Sequence, residues 1–427
     1  MEFAAPATST QTGDISRLDA AAPAGRFRWI VCGLLFFATT INYMDRQVIG
    51  ILKPLMHREM GWTETDYANI VASFQFAYFA GGLIAGLLID RIGVRIGYAV
   101  SVALWSLASM AHGLARTVFA FSSARVGLGL AEAGNFPAAV KTVGEWFPPS
   151  QRALATGIFN AGSNVGAMIT PLIVPHIVTR WGWKAAFYLS GLVGFCWLLA
   201  WVSIYRVSPI ASRDMAISKT PRMNLISLLS RRSTVAYGLS GMFTGPVWWF
   251  YLFWTPDFLN KKFGLDLVHL GLPLAIIYLM SDAGSIGGGW ISSHLMKRGF
   301  SVNFARKSAM LLCALAVVPV CTVSYTSSPW LAAFLIGLAA AAHQGWSANL
   351  FTFVTDTAPT SCASTIVSLG GLPGGIAGIV SAKLIGHILQ VTGNYHLLFA
   401  VASMMYLLAL LVLHVLVPRI SNPAGRN

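Results

Sequence analysis

An aspartate and an arginine stand side by side in the stretch INYMDRQVIG, residues 41–50, directly after the apolar run WIVCGLLFFATT. A guanidinium binds a carboxylate through charge-assisted hydrogen bonds, and a carboxylate can take up and release a proton. A charge at the centre of a bilayer costs at least about 2.5–3.5 kcal/mol, so it is rarely incidental. We therefore predict that Asp45 and Arg46 are functional. A charge at the membrane interface and a structural ion pair are the alternatives.

The position of the pair along its helix bears on these alternatives. Counted from Trp29, Asp45 lies about 24 Å along a helix, in the outer half of a membrane. The apolar residues VIGIL follow, so the helix continues beyond the charges. Adjacent helical residues point about 100° apart, and Asp45 and Arg46 need not pair with each other.

A second charged set lies in SARVGLGLAEAGNFPAAV, residues 123–140. Arg125 and Glu132 are seven residues apart, which is nearly two helical turns, so they share one face with Cα atoms about 10 Å apart. An acid in apolar surroundings beside a cation suits a proton carrier that is protonated when its partner leaves. A purely structural salt bridge is the alternative.

Neutral polar residues recur in the same apolar runs. Such groups can hydrogen-bond the hydroxyls of a sugar-like ligand, or they can simply bond neighbouring helices. Asn160 and Asn164 are four residues apart and share a helical face. The candidates in the first half are Asn42, Tyr43, Gln75, Tyr78, Asn160 and Asn164, and a further cluster in the second half contains His343, Gln344, Trp346 and Asn349.

The stretch GLLIDRIGVR has the spacing Gly-x-x-x-Asp-Arg-x-Gly-x-Arg. Two glycines permit a tight turn, the aspartate can accept hydrogen bonds from neighbouring helix ends, and we expect the arginines to contact headgroups or acids. This predicted gate motif consists of Gly86, Asp90, Arg91, Gly93 and Arg95.

The composition shows which elements must hold these residues. The chain has 427 residues, of which 56% are hydrophobic and only 10% charged, and its mean hydropathy is +0.65. Soluble domains have about 25% charged residues, so we predict an all-α integral membrane protein. A spanning helix needs about 20 apolar residues. Twelve segments qualify: 29–49, 68–89, 96–114, 117–139, 153–175, 183–204, 234–256, 271–294, 307–325, 330–353, 361–388 and 395–417.

The net charge of +14 is distributed unevenly between the two membrane sides. With the N-terminus inside, 19 lysines and arginines fall on the inner side and seven on the outer side. This positive-inside pattern predicts that both termini are cytoplasmic and argues against nucleic-acid binding. The short outer loops contain no Asn-x-Ser/Thr site, which favours a bacterial inner membrane.

The polar stretch 205–233 divides the spans into six and six. Spans two and eight both end in glycine-rich helix followed by a short basic turn, so the halves resemble each other. Such parallel repeats are typical of secondary transporters, with a binding site between the halves. We predict a disordered N-terminus over 1–25, six-helix bundles over 26–204 and 234–418, a cytoplasmic linker over 205–233 and a cytoplasmic tail over 419–427.

The gate motif resembles the signature loop between spans two and three of the major facilitator superfamily. The stretches INYMDRQVIG, RVGLGLAEAGNFPAAVKTVGEWFPPSQRALATGIFNAGSNVGAMITPLIV and GWKAAFYLSGLVGFCWLLAWVSIYR are similar to the anion:cation symporter family, above all to its bacterial hexuronate and aldonate transporters. The resemblance covers nearly the whole chain and is looser in the second half.

This resemblance implies roles for several residues. It implies that a sugar-acid carboxylate binds Arg46, that Asp45 and Glu132 carry the coupling protons, and that Arg125 pairs with the acid. The implied substrate contacts are Tyr43, Tyr78 and Asn164. Two features depart from the family: the central loop is short and lacks an acidic helical segment, and the small Asn164 changes which sugar acid fits.

The sequence as a whole predicts a proton-coupled symporter that imports a monovalent organic anion, most simply a hexuronate or a related sugar acid, by alternating access. We expect a monomer in the lipid bilayer that needs no cofactor and no metal, with the proton as coupling ion. One alternative is a carrier of a different carboxylate, such as an aromatic acid or a tricarboxylate. A transporter-like sensor that does not transport is another. A membrane enzyme is disfavoured because no nucleophile has an evident base.

Overall fold

The computed structural model describes residues 25–62, 64–206, 225–265 and 271–420. Most of the predicted N-terminal region, most of the predicted linker and residues 421–427 lie outside this range. The described residues form fourteen α-helices: α1 Phe27–Met60, α2 Glu64–Ile92, α3 Val94–His112, α4 Val118–Glu132, α5 Asn135–Trp146, α6 Pro149–Trp181, α7 Trp183–Ile204, α8 Leu225–Leu229, α9 Arg232–Phe263, α10 Gly271–Lys297, α11 Val302–Val317, α12 Pro329–Thr357, α13 Ala363–Thr392 and α14 His396–Leu416. Two 3₁₀ helices cover Val318–Tyr325 and Thr360–Cys362.

Each of the twelve predicted spans corresponds to one of these helices or to a pair of them. Helices α4 and α5 together form the fourth span, α11 continues into the 3₁₀ helix as the ninth, and α8 is a short helix before the seventh. By length and apolar composition alone, eight of the described helices can cross a membrane, or ten if two bent pairs are each one span. The fourth and seventh spans fall outside that test, and the fourth is divided into helices of 15 and 12 residues.

The fourth span is not the continuous helix that its apolar run predicts. Helix α4 ends at Glu132 and α5 begins at Asn135. Pro137 has no N–H to donate back to Ala133, which weakens the helix at this point. A Cβ on Gly134 would overlap the Ser101 hydroxyl, so the absence of a side chain lets α3 approach closely at this point. The break places Glu132 at the end of a helix rather than in its middle.

The spans alternate in direction, so both ends of the described chain lie at one end of the bundle, here called the terminal end. There, Lys307 of α11 donates to the carbonyl oxygens of Val417 and Pro418 beyond α14, each at 2.7 Å. Asn303 accepts from the backbone N–H of Ile420 at 3.0 Å. These bonds hold the end of α14 against α11.

The first six spans contact the last six mainly along two helix pairs, α6 with α10 and α2 with α13, with further contacts of α6 with α12 and α5 with α13. Small residues allow the backbones to approach closely, as is common in membrane bundles. A Cβ on Gly289 would overlap the carbonyl oxygen of Ala153, and a Cβ on Gly86 would overlap the Ser368 hydroxyl. The α6–α10 and α2–α13 contacts lie on either side of the space between the halves.

Candidate functional site

A cavity of about 270 Å³ lies between the two halves. Seven aromatic side chains dominate its walls, and the polar groups come mainly from α6 and α12. The lining residues are Tyr43, Tyr78, Phe79, Phe136, Tyr237, Trp248 and Phe351, with Asn160, Ser163, His343, Gln344, Ser347 and Ser368 among the polar ones. Gly82, Ala133, Pro137, Val367, Gly371 and Leu372 complete the walls.

Arg46 and Glu132 form an ion pair beside this cavity. The Nε of Arg46 donates to Oε2 of Glu132 at 2.6 Å, with the arginine side chain 17% exposed and the glutamate fully buried. The guanidinium carbon lies 4.9 Å from the ring centroid of Tyr43 and 4.4 Å from that of Tyr78. Both rings line the cavity, so the pair adjoins the space where a ligand would bind.

Asp45 points away from this pair, as the 100° offset between neighbouring residues requires. Its Oδ1 accepts a hydrogen bond of 2.8 Å from the Ser109 hydroxyl on α3. Ser109 in turn lies 2.8 Å from the Ser190 hydroxyl on α7. Asp45 is only 2% exposed. The two adjacent charged residues of α1 therefore have different partners: Asp45 bonds Ser109 on α3, and Arg46 pairs with Glu132 on α4.

Arg125 is buried on α4, seven residues before Glu132. Its guanidinium lies 5.7 Å from the ring centroid of Phe74, and that of Arg46 lies 5.3 Å from the same ring. The helical spacing favoured Arg125 as the partner of Glu132, whereas the ion pair in the structure joins Glu132 to Arg46. The long side chain of Arg46 on α1 reaches Glu132 at the end of α4.

Three buried polar atoms of this cluster have no hydrogen-bond partner among the described residues: Oδ2 of Asp45, Nη2 of Arg46 and Oε1 of Glu132. Buried polar groups in native proteins are nearly always hydrogen-bonded to protein or to ordered water. Unsatisfied donors and acceptors that converge from two helices are typical of a site that a polar ligand, a proton or water completes.

The two predicted asparagines of α6 reach across to the second half. Nδ2 of Asn164 donates to Oδ1 of Asp282 at 2.9 Å, and Nδ2 of Asn160 donates to Oε1 of Gln344 at 2.8 Å. Gln75 is partly exposed on α2, one turn from the cavity residue Phe79 and on the same face. Asn160, which the sequence left undecided between ligand and helix contact, therefore makes interhelical bonds and lines the cavity.

Two of the predicted substrate contacts, Asn349 and Trp346, lie where α12 packs on neighbouring helices. Nδ2 of Asn349 donates to the carbonyl oxygens of Gly288 at 3.0 Å and Gly345 at 2.9 Å, tying α12 to α10. Trp346 is fully buried, with its ring edge against Tyr406 at 5.6 Å between centroids. Each residue occupies a face of α12 that packs on another helix, which the sequence cluster does not reveal.

The cavity-facing side of α12 carries His343, which belongs to the predicted cluster, and Ser347, which the sequence analysis did not select. His343 stacks on Trp248 of α9 with ring centroids 4.8 Å apart, and its Nδ1 lies 2.5 Å from the Tyr406 hydroxyl. Ser347, one turn along, lies 3.3 Å from Nε2 of the same ring. A histidine within an apolar run was the available signal, and spacing of four with Ser347 marks the shared face.

The gate motif lies at the terminal end, where α2 meets α13. Asp90 accepts from Lys141 Nζ at 2.8 Å, and from the backbone N–H and the hydroxyl of Thr365 at 2.8 and 2.6 Å. Thr365 is in the first turn of α13, where free N–H groups and the helix dipole favour a carboxylate. Gly93 has φ +84°, a conformation that glycine adopts without strain.

The two arginines of the motif are directed elsewhere. Arg91 is exposed, and Nη2 of Arg95 donates to the carbonyl oxygen of Val202 at 3.3 Å. Arg95 therefore contacts an unsatisfied carbonyl near the end of α7, rather than the headgroup or acid that we expected.

A second contact between the halves surrounds Asp356 at the end of α12. Arg152 of α6 donates to Oδ1 at 3.2 Å, and Arg306 of α11 donates to Oδ2 at 2.9 Å. Arg306 is fully buried and also donates to the carbonyl oxygen of Pro149 at 2.8 Å. One carboxylate thus receives arginines from both halves, and together with Asp90 it joins the bundles at the terminal end.

The arrangement has the same overall fold as solved transporters. The proton:xylose symporter XylE matches with a TM-score of 0.74 at 12% identity, over 92% of this chain and 97% of that one. FucP in the outward conformation matches with a TM-score of 0.67 at 15% identity, over 92% and 99%. A family model described as the Major Facilitator Superfamily matches residues 35–382.

The chain belongs to the Major Facilitator Superfamily. Its twelve spans in two six-helix bundles are the fold of that family, and the protein is a multi-pass membrane transporter rather than an enzyme. Curated relatives in this superfamily include the hexuronate transporter of Escherichia coli (strain K12), 29% identical over 90% of this chain and 93% of that protein. The D-galactonate transporter of Escherichia coli O6:H1 is 26% identical over 87% and 91%.

Proposed function

We propose that the protein is a proton-coupled symporter for a monovalent organic anion, a hexuronate or a related sugar acid. The observation that carries this proposal is the Arg46–Glu132 ion pair beside the cavity between the bundles. The curated relatives named for hexuronate, galactonate and galacturonate support the substrate class.

The ion pair provides a means of exchange between proton and substrate. While Glu132 is ionised, it occupies the guanidinium of Arg46 at 2.6 Å. A proton on Glu132 removes the negative charge, and Arg46 then binds the carboxylate of the incoming anion through charge-assisted hydrogen bonds. Proton and anion enter the site together, so the arginine charge stays compensated in the loaded carrier. Release of the proton restores the ion pair and expels the anion.

Asp45 supplies a second proton-accepting group within one residue of Arg46. The Ser109 hydroxyl hydrogen-bonds its Oδ1, and its Oδ2 is buried without a partner among the described residues. A proton on Oδ2 would neutralise the carboxylate while the Ser109 bond is kept. Asp45 and Glu132 are therefore the proposed coupling acids, and Arg125 is the fixed cation that lies near them.

The rest of the cavity suits a small hydroxylated solute. Its volume of about 270 Å³ lies just below the range of about 300–1,000 Å³ that is usual for ligand sites, which fits a small solute. Aromatic rings cover the C–H faces of sugars, while Asn160, Gln344 and Ser163 offer donors and acceptors to hydroxyl groups. Tyr43 and Tyr78, which line the cavity, and Asn164, which adjoins it through its hydrogen bond with Gln344, are the proposed further contacts to the substrate.

Alternating access requires the contacts at the terminal end to break. Asp90 with Thr365, and Asp356 with Arg152, join the halves there in the state described. Rocking of one bundle against the other would separate these pairs and open the cavity toward that end. By the distribution of basic residues the terminal end is cytoplasmic, and we propose a monomer in a bacterial inner membrane.

Uptake into proteoliposomes tests the proposed function. Radiolabelled D-glucuronate, D-galacturonate and D-galactonate are compared with and without an inward proton gradient. We expect accumulation of at least one of them above its equilibrium level only with the gradient. Uptake that the gradient does not change would refute proton coupling, and no uptake of any sugar acid would refute the substrate class.

The aromatic walls favour one second candidate, a carrier of aromatic carboxylates. Seven of the lining residues are Phe, Tyr or Trp, and a stacked Trp248–His343 pair forms one wall. Benzoate and 4-hydroxybenzoate in competition with glucuronate separate the two candidates. Competition by the aromatic acids at lower concentration than by galacturonate would favour the second.

A further inference from the structure

Asp282 on α10 is an acidic residue at the interface of the bundles to which the mechanism above gives no role. Its Oδ1 accepts a hydrogen bond of 2.9 Å from Nδ2 of Asn164 on α6. An ionised carboxylate can only accept hydrogen bonds, whereas an amide can face either way. The carboxylate therefore determines that Asn164 turns its nitrogen toward α10 and its oxygen toward the neighbouring amide.

The orientation of the Asn164 amide in turn determines the orientation of two further side-chain amides. Its Oδ1 accepts from Nε2 of Gln344 at 3.4 Å, and Oε1 of Gln344 accepts from Nδ2 of Asn160 at 2.8 Å. We call these four residues, Asp282, Asn164, Gln344 and Asn160, the amide ladder. Each amide donates in one direction and accepts from the other, so reversal of one would leave two like groups facing each other.

The last member of the ladder faces the cavity. The second Nδ2 hydrogen of Asn160 is donated to the Ser285 hydroxyl at 3.2 Å. Both of its hydrogens are therefore committed to the second half, and its Oδ1 is the group left for a ligand. Asn160 and Gln344 line the cavity, whereas Asp282 is not in its wall.

We propose that Asp282 is a positioning residue that sets the polarity of the amide ladder, so that Asn160 presents a hydrogen-bond acceptor to a ligand hydroxyl. The site then selects a polyhydroxylated anion, with its carboxylate at Arg46 and one hydroxyl donating to Asn160. This inference rests on the proposed function, because it assumes that the ligand is a sugar acid. An amide that loses its fixed orientation can present a donor as readily as an acceptor, and the selection for a hydroxyl is lost.

The test compares competition binding of D-glucuronate and its monodeoxy analogues. In the unmodified protein we expect one analogue to bind about five- to tenfold more weakly than glucuronate, because a hydrogen bond is lost. In Asp282→Asn we expect this ratio to fall below about twofold, because the new amide can face either way. Asp282→Glu, which keeps a carboxylate, should retain more of the ratio than Asp282→Asn does.

Ser281→Ala is the matched control. Ser281 is buried next to Asp282, and its hydroxyl donates to Ile277 of its own helix at 2.9 Å. The variant should keep the full ratio. If Asp282→Asn does not accumulate in the membrane, Asp282→Ser carries the same comparison. If Asp282→Asn binds glucuronate and every deoxy analogue more weakly by the same factor, the ratio of their affinities is unchanged. Asp282 would then only support the fold, and the proposal would be overturned.

A measurement without ligand separates this inference from the proposed function. The infrared difference spectrum between the unmodified protein and Asp282→Asn should show the loss of an ionised carboxylate band. Loss of a carboxylic acid band instead would overturn the ladder polarity, whatever the substrate. If no sugar acid binds the unmodified protein while the carboxylate band is present, the proposed substrate class fails and the orientation of the ladder stands.

Discussion

Arg46 and Glu132 are 86 residues apart in the chain, yet their side chains meet at 2.6 Å between α1 and α4. Tyr43 and Tyr78 cover the guanidinium on the side of the cavity, and each ring is within cation–π distance of it. A cation held in this way is oriented before a ligand arrives. Its charge is also balanced by the carboxylate of Glu132, which a single proton makes neutral.

Removal of the cation tests its role directly. We expect Arg46→Ala to bind D-glucuronate at least about 100-fold more weakly than the unmodified protein, because a charge-assisted pair of bonds is lost and Glu132 remains buried without its partner. Isothermal titration in detergent measures the affinity. Arg46→Lys keeps the charge without the planar fork and should give an intermediate affinity. Unchanged affinity in the alanine variant would refute the role of Arg46.

Replacement of Glu132 by glutamine separates exchange from accumulation. Glu132→Gln cannot release a proton, so we expect it to lose gradient-driven uptake and to keep counterflow exchange of substrate within about threefold. Proteoliposomes with matched internal and external pH provide the exchange assay. Glu59→Gln, an exposed glutamate on α1, is the control and should behave as the unmodified protein does. If Glu132→Gln still accumulates substrate when a proton gradient is applied, another acid must be the coupling residue.

The close approach of α2 and α13 predicts the effect of one added methyl group. A Cβ on Gly86 would overlap the Ser368 hydroxyl and would lie 2.7 Å from the carbonyl oxygen of Ser364. Gly86→Ala should therefore weaken the contact at the terminal end by about 1–3 kcal/mol. Spin labels on the terminal-end turns of the two bundles should show a longer distance distribution in this variant.

Gly287→Ala is the matched control for that experiment. Gly287 also lies within a helix, and nothing approaches within 4 Å of the position where its Cβ would be. It should gain about the same helix propensity without a change in the distance distribution. If both variants give the distribution of the unmodified protein, the Gly86 contact does not hold the bundles together.

Much of this architecture was accessible from the sequence, because membrane constraints act locally. Long apolar runs must be helical in lipid, and helices α7 and α14 follow from that requirement alone. The charged residues of α1 and α4 stood out for the same reason, since a charge in an apolar run is costly. The sequence therefore selected Asp45, Arg46 and Glu132 as candidates, and the structure places Arg46 and Glu132 beside the cavity.

The pairings across the bundle were not accessible in this way. Helical spacing connected Arg125 with Glu132 but gave no sign of the ion pair with Arg46, which comes from another helix whose rotation depends on packing. The same limit affected α12, where every turn carries a polar residue. His343 faces the cavity while Trp346 and Asn349 face neighbouring helices, and nothing in AAHQGWSANLF distinguishes these faces. Rotation about a helix axis is determined by its neighbours.

The Asp356 cluster predicts a loss of stability at the terminal end. Asp356→Asn would leave Arg152 and the fully buried Arg306 without the carboxylate that they share. Breaking a buried ion pair by removing one partner costs about 3–5 kcal/mol, so we expect a clear drop in the midpoint of thermal unfolding in detergent. The double variant Asp356→Asn/Arg306→Met removes one cation as well and should recover part of the loss. A midpoint unchanged by the single substitution would contradict the buried pairing.

Substitution of Asn349 should lower the thermal stability of the protein without weakening its affinity for the substrate. Its amide bonds the backbone of Gly288 and Gly345 and is fully buried. Asn349→Ala should therefore lower the thermal midpoint, because two backbone carbonyl bonds are lost at about 0.5–1.5 kcal/mol each. The KM for glucuronate should stay within about twofold, since the side chain packs between α10 and α12. Asn160→Ala, its counterpart in the cavity wall, should show the reverse pattern, with a raised KM and a smaller change in midpoint. A raised KM in the Asn349 variant would indicate that Asn349 contacts the substrate.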